Sequence, residues 1–219
     1  TLLPGSRAHV IREVFPGQLE VAAALKKRFP HAQFLVVPAN DEMRRLIETI
    51  LGASAPVKDI EVPASDDPTG AQAENAVAAL RAAAIKAADL VLVASGTVTL
   101  EVAYRGTPMI VMYNASRWMY ELLGRRLIST PHLSIPNILA GREVVAEFMP
   151  YYRTVEPITA RAAEWLATPA TLARIRRELG EVIQPIVKPG AAANTAAELA
   201  ALLESADTRP SAGRSDSIS

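Results

Sequence analysis

Residues 90–101 read Leu-Val-Leu-Val-Ala-Ser-Gly-Thr-Val-Thr-Leu-Glu. A short apolar run ends in Ser95-Gly96-Thr97, and a helical pattern begins at once, so a strand delivers its end to a helix N-terminus. Such an N-terminus presents backbone N–H groups without intrahelical partners and the positive end of the helix dipole. Gly96 lets the backbone approach a ligand where a side chain would stand in the way. Ser95 or Thr97 can cap the helix or donate to a phosphate oxygen. Glu101 follows Thr97 by four residues and so falls on the same helix face, where a carboxylate could accept two hydroxyls of a ribose. The plain alternative is an ordinary strand-to-helix turn with a capping threonine.

Around this stretch, strands and helices alternate. Residues 33–39 (Gln-Phe-Leu-Val-Val-Pro-Ala) and 109–113 (Met-Ile-Val-Met-Tyr) are nearly continuous apolar runs, as expected of buried parallel strands. Ile60-Glu-Val62 is a short strand candidate. Helical patterns cover Pro16 to Phe29, Asp41 to about Leu51, and the alanine-rich stretch from Ala71 to Ala87. The segment from Pro63 to Gly70 reads as loop. This alternation predicts an α/β fold, a Rossmann-like doubly wound parallel sheet, with ligands bound at the carboxyl ends of its strands. From Thr159 onward the pattern is helical only, in segments near 159–167, 169–186 and 193–203. The end, 205–219, has the composition of a disordered tail.

Other turns fall at the same predicted edge. Leu3-Pro-Gly-Ser-Arg7 reads as a strand end and a tight loop, in which Gly5 and Ser6 offer N–H groups and Arg7 an always-charged fork suited to phosphate. A solvated surface turn is the alternative. Residues 132–137 (His-Leu-Ser-Ile-Pro-Asn) read as a short extended stretch that Pro136 confines to an edge or strand end, with a helix starting at Ile138. Asn137, Gly141, Arg142 and Glu143 then suit a third ligand-facing loop, or Asn137 simply caps the helix. Between them, residues 116–128 (Ser-Arg-Trp-Met-Tyr-Glu-Leu-Leu-Gly-Arg-Arg-Leu-Ile) are apolar nearly all round a helix. Core packing accounts for that. The sharper reading sets Trp118 and Tyr120 at headgroup level and Arg125 and Arg126 on an anionic membrane surface.

Composition narrows the classes. The chain has 219 residues, 50% of them hydrophobic, which suits a sizeable core. With 23 basic against 23 acidic residues the formal charge is zero, which argues against nucleic-acid binding. Cysteine is absent, and His9, His31 and His132 are isolated, so neither a thiolate site nor a metal-ligand cluster is visible. No apolar run approaches the roughly 20 residues that span a bilayer, and no signal peptide is visible. Thr1-Leu-Leu3 leaves little of a first strand before Pro4, and the chain has no initiator methionine. It reads as a fragment cut inside or just before that strand.

Four blocks together, 2–7 (Leu-Leu-Pro-Gly-Ser-Arg), 94–101 (Ala-Ser-Gly-Thr-Val-Thr-Leu-Glu), 106–113 (Gly-Thr-Pro-Met-Ile-Val-Met-Tyr) and 134–143 (Ser-Ile-Pro-Asn-Ile-Leu-Ala-Gly-Arg-Glu), resemble the lipid-A-disaccharide synthases in order and spacing. The resemblance runs from about residue 2 to 150, with a helical continuation to about 204. It departs at Val10, where the family often has Glu, and over the segment from Asp41 to Gln72, which is longer and less similar.

The resemblance implies an inverting glycosyltransferase of the GT-B architecture, with two Rossmann-like domains and the active site between them. Its members join UDP-2,3-diacylglucosamine to 2,3-diacylglucosamine 1-phosphate, releasing UDP, at the inner face of the bacterial cytoplasmic membrane. On this reading the chain is the C-terminal, donor-binding half. Residues 1–158 form the UDP-sugar-binding domain, helices over 159–204 pack on it, and 205–219 form the tail. Gly5, Ser6, Ser95, Gly96 and Thr97 then serve the diphosphate or adjacent sugar, together with Arg7. Glu101 serves the ribose, and Asn137, Arg142 and Glu143 line the same pocket. No cofactor is implied, a homodimer is left open, and the general base belongs to the other domain, so the fragment alone is expected to be inactive. Another UDP-sugar transferase or epimerase of the same architecture, or a non-catalytic nucleotide-sugar-binding module, is the competing reading.

Overall fold

The computed structural model describes residues 1–54, 60–62, 71–114, 131–187 and 190–207. Two compact units make up the chain, Thr1–Gln184 and Pro185–Ser219. The first contains β1 (Leu2–Leu3), α1 (Ala8–Arg28), β2 (Phe34–Leu35), α2 (Asp41–Ser54), β3 (Ile60–Glu61), α3 (Ala71–Ala87) and β4 (Val91–Ala94). It continues with α4 (Val98–Tyr104), β5 (Met109–Met112), α5 (Ile135–Ala140), β6 (Ala146–Phe148), α6 (Glu156–Ala167) and α7 (Pro169–Ile183). The second unit contains α8 (Ala191–Asp207), whose first turn is closed by the Asn194 N–H donating to Gly190 O.

Strands β1, β4, β5 and β6 form a parallel sheet in that order, with Leu2 opposite Leu92, Val93 opposite Val111, and Val111 opposite Glu147. β2 and β3 pair in parallel beside it, and a single bridge between Leu2 and Val36 sets them next to β1. The strands therefore read β3-β2-β1-β4-β5-β6, the order of a Rossmann-type sheet. All four residues of β4 and of β5 are buried, which is why those runs lack the polar alternation of a half-exposed strand. The connection β1–α1–β2 moves one way along the sheet and β4–α4–β5 the other. Right-handed crossovers then put α1 and α4 on opposite faces.

Three sequence expectations are corrected here. The first helix does not open at Pro16: α1 begins at Ala8 and runs through Pro16. Proline in a helix interior costs about 3 kcal/mol, but Ile11, Val14 and Phe15 before it and Leu19, Val21 and Ala22 after it are all buried to 1% exposure or less. Each such aliphatic or aromatic side chain contributes about 1.5–3 kcal/mol, so burial decides the helix length. Second, Pro136 does not mark a strand edge. It sits in the first turn of α5, where its missing N–H has no helical partner to lose, and Gly141 at φ +64° ends that helix. Third, the helix expected to start at Ile138 has ended by Gly141, and β6, which the sequence reading does not include, follows within five residues. The proposed membrane-facing helix with Trp118, Tyr120, Arg125 and Arg126 lies outside the described residues.

One polar side chain ties the first unit to its functional edge. Gln18, fully buried on α1, donates from Nε2 to Leu92 O at 3.1 Å and to Leu3 O at 3.4 Å, clasping the two central strands together just before their carboxyl ends.

A candidate ligand cleft at the switch point of the sheet

The site is built from two strand ends. β1 turns through Pro4–Arg7 into α1, and β4 turns through Ser95–Thr97 into α4. These strands are neighbours whose onward connections diverge, so a crevice opens between their carboxyl ends. It has a volume of about 770 Å³ and is lined by Gly5, Ser6, Arg7, Ser95, Gly96, Thr97 and Glu101. Arg81 from α3, Tyr113 after β5, and the apolar wall of Leu133, Ile135, Met149 and Pro150 complete it. A larger cavity, about 930 Å³, opens at the amino ends of the strands, where His31 and Asp89 are found. Among the described residues no helix begins there, and Lys26, which lines that cavity, donates to Ala32 O at 2.9 Å.

The two turns are shaped for close approach. Gly5 takes φ +117°, which only glycine adopts without strain, and an added Cβ would stand 2.9 Å from Val10 Cγ1. Gly96 takes φ +157°, and the space a Cβ would occupy there is open. The 21-residue α1 starts at the cleft with no side-chain cap on its N-terminus and no acidic residue in its first turn. Its positive end is therefore uncompensated by its own cap or first turn. Arg7 at the N-cap is exposed, and among the described residues no carboxylate pairs with it. At the second turn, Thr97 occupies the N-cap without a side-chain cap bond, and Thr99 Oγ instead donates back to Gly96 O at 2.7 Å. The expected capping role of Ser95 or Thr97 is thus taken by neither, leaving both hydroxyls at the cleft.

Glu101 stands one turn deeper, a quarter exposed. Its Oε2 accepts from Arg81 Nε at 2.8 Å, and its Oε1 lies 3.8 Å from Arg105 Nη2. Arg81 is the charged cleft residue that sequence reasoning missed. Its one signal is a guanidinium interrupting the alanine run of α3, a pattern that equally fits a solvated helix face.

The third turn behaves differently from expectation. Asn137 is wholly buried, with Oδ1 accepting from the N–H groups of Val144 (2.7 Å) and Val145 (3.0 Å) and Nδ2 donating to Val145 O (2.8 Å) and Glu147 Oε1 (2.6 Å). Its hydrogen-bonding capacity is consumed inside the fold. Arg142 pairs with Glu178 on α7, and Glu143 lies 3.6 Å from Arg161 on α6. None of the three lines the cleft. The segment contributes Leu133 and Ile135 instead. Leu133 and Ser134, which precede Ile135, are held in place by Glu147, whose carboxylate accepts from Leu133 N–H, Ser134 N–H and Ser134 Oγ at 2.6–3.0 Å. Among the described residues no group of three His, Asp or Glu is close enough to hold a metal ion.

Fold and cleft together define a Rossmann-like α/β unit of the kind that forms one half of a GT-B enzyme. Residues 1–184 match the family model described as lipid-A-disaccharide synthetase. Curated relatives carry the name lipid-A-disaccharide synthase. The chain is 36% identical to the one from Geobacter metallireducens over 186 residues (82% of this chain, 44% of the relative). It is 34% identical to that of Neisseria meningitidis serogroup A over 177 residues (81% and 42%) and 35% identical to that of Syntrophus aciditrophicus over 209 (94% and 50%). The chain belongs to the lipid-A-disaccharide synthetase family. It spans half or less of the length of these relatives.

Proposed function

We propose that this chain binds the nucleotide-sugar donor, UDP-2,3-diacylglucosamine, for an inverting transfer to 2,3-diacylglucosamine 1-phosphate that forms the lipid A disaccharide and releases UDP. The observation that carries this reading is the convergence of both glycine turns, Arg7 and Glu101 on one cleft at the switch point. The chemical need is to stabilise a departing diphosphate. Arg7 and the uncapped start of α1 supply preorganised positive charge where that negative charge develops. Gly5, Ser6, Ser95, Gly96 and Thr97 take the diphosphate or the adjacent sugar, and Glu101 takes the ribose hydroxyls. Asn137, Arg142 and Glu143 are reassigned to scaffolding. No described cleft residue is assigned as the general base for the acceptor hydroxyl, since Glu101, the cleft's carboxylate, is already held between two arginines.

No described helix is long and apolar enough to cross a membrane. On the reading proposed here the lipid substrates are met at the inner face of the cytoplasmic membrane. The test is a calorimetric titration of the chain with UDP, using CMP and ADP as controls. Selective UDP binding is expected, and Arg7→Ala should weaken it about 10-fold or more, the value of a charge-assisted hydrogen bond. A folded chain that binds the three nucleotides equally would overturn the reading.

A further inference from the structure

We propose that Arg81 is a positioning residue that aims the Glu101 carboxylate at the ribose, so that the Arg81–Glu101 pair sets the preference for a ribonucleotide over its 2′-deoxy counterpart. The inference rests on the donor-site reading above and goes beyond it in the residue and in the discrimination. Arg81 and Glu101 come from different helices, α3 and α4, yet both line the cleft, and their side chains are only 28% and 25% exposed. They meet through a single 2.8 Å contact between Arg81 Nε and Glu101 Oε2. Oε1 is different. Arg105 Nη2 stands 3.8 Å away, too far for a hydrogen bond, and among the described residues Oε1 accepts none. The pair therefore fixes one carboxylate oxygen and offers the other.

Two physical consequences follow. An ionised carboxylate only accepts, so a hydroxyl donating to Oε1 makes a charge-assisted bond. A site built around such a bond rejects an analogue lacking the hydroxyl, because the half-buried oxygen is then left without a partner. A bare carboxylate in this cleft would also repel a diphosphate. Among the described residues, with Arg7 and Arg81 against Glu101, the charged side chains of the lining sum to about one positive charge, and it is Arg81 that cancels Glu101. Arg81 thus lets an acceptor for hydroxyls coexist with a cradle for phosphates.

The experiment is a calorimetric titration of the full chain with UDP and with 2′-deoxy-UDP, for the wild type, Glu101→Gln, Arg81→Gln and Arg81→Lys, with a thermal melt of each. The wild type is expected to prefer UDP about 10-fold or more. Glu101→Gln and Arg81→Gln should each bring the ratio close to one, and Arg81→Lys, which keeps the charge, should keep part of it. If Arg81→Gln does not fold, the lysine variant carries the test, with a ratio unchanged from the wild type counting against the proposal. Equal weakening of both nucleotides by the Arg81 variants, with a lowered melt, would mean a merely structural ion pair and would overturn the inference while leaving the donor site standing. A wild type that binds neither nucleotide would overturn the donor reading and this inference with it.

Discussion

Gly5 and Asn137 are the two positions where a single side chain, or its absence, has the clearest consequence. Gly5→Ala introduces a Cβ at 2.9 Å from Val10 Cγ1 on a backbone at φ +117°. The strain should cost about 1–3 kcal/mol in urea denaturation, and the relaxed turn should bind UDP more weakly. An alanine variant with unchanged stability would mean that the turn has another accessible conformation. Asn137→Ala should cost at least as much, about 3 kcal/mol, because it strips partners from Val144 N–H, Val145 N–H and Val145 O at once. Yet its UDP affinity per folded molecule should be unchanged, and an affinity loss without a stability loss would return Asn137 to the cleft. The sequence reading expects the Gly5 and Gly96 turns at one strand edge, and both turns line the one cleft. It failed for Asn137, Arg142 and Glu143, because polarity in a loop does not say which way the loop faces. Buried Asn–backbone bonds and ion pairs to α6 and α7 are tertiary facts with no local signature.

At the scale of elements, α1 and α7 show how neighbours override local propensity. α1 keeps Pro16 and Gly17 in its interior, and the glycine is there for a contact: an added Cβ would stand 2.1 Å from the hydroxyl of Tyr152. Burial, with the charge of Glu20 adding to it, pushes the Tyr152 phenol up to about 12, so the hydroxyl packed on that helix stays protonated at any ordinary pH. Nothing in residues 16 and 17 announces Tyr152, which is why the pair reads as a helix start rather than a helix interior.

On α7, Glu178 accepts from Arg142 and from Arg174 (2.6 Å), and the Arg142 hydrogen bond is the largest cause holding its carboxyl below the usual carboxylate range. A depressed folded-state pKa adds stability above the unfolded value, and that stability is lost as pH falls through the folded one. Glu178→Gln should therefore lower the melting temperature at pH 7 by about 1–3 °C, a small shift because both arginines are half exposed. The gap to the wild type should close as pH drops below about 4. A gap that persists undiminished in acid would show that packing, not the ion pairs, sets it.

For the whole molecule, β2, β4 and β5 were legible because buried parallel strands announce themselves as unbroken apolar runs, while β6 and the strand order were not. Nothing in residues 33–39 says that Val36 meets Leu2, yet that one bridge completes the order β3-β2-β1-β4-β5-β6 and puts the divergence of connections between β1 and β4. Position 184 then acquires a meaning of its own. The compact unit ends at Gln184, the family match ends at the same residue, and the last buried core side chain of α7 is Ile183. Every described residue lining the cleft lies before it. A chain truncated after Gln184 should accordingly melt within about 3 °C of the full chain, a change of less than about 1 kcal/mol for a unit this large. It should also bind UDP with an affinity within about 2-fold. Loss of the cooperative melt on truncation would mean that Pro185–Ser219 supplies part of the core. Intact melting with lost UDP affinity would mean that it supplies part of the site.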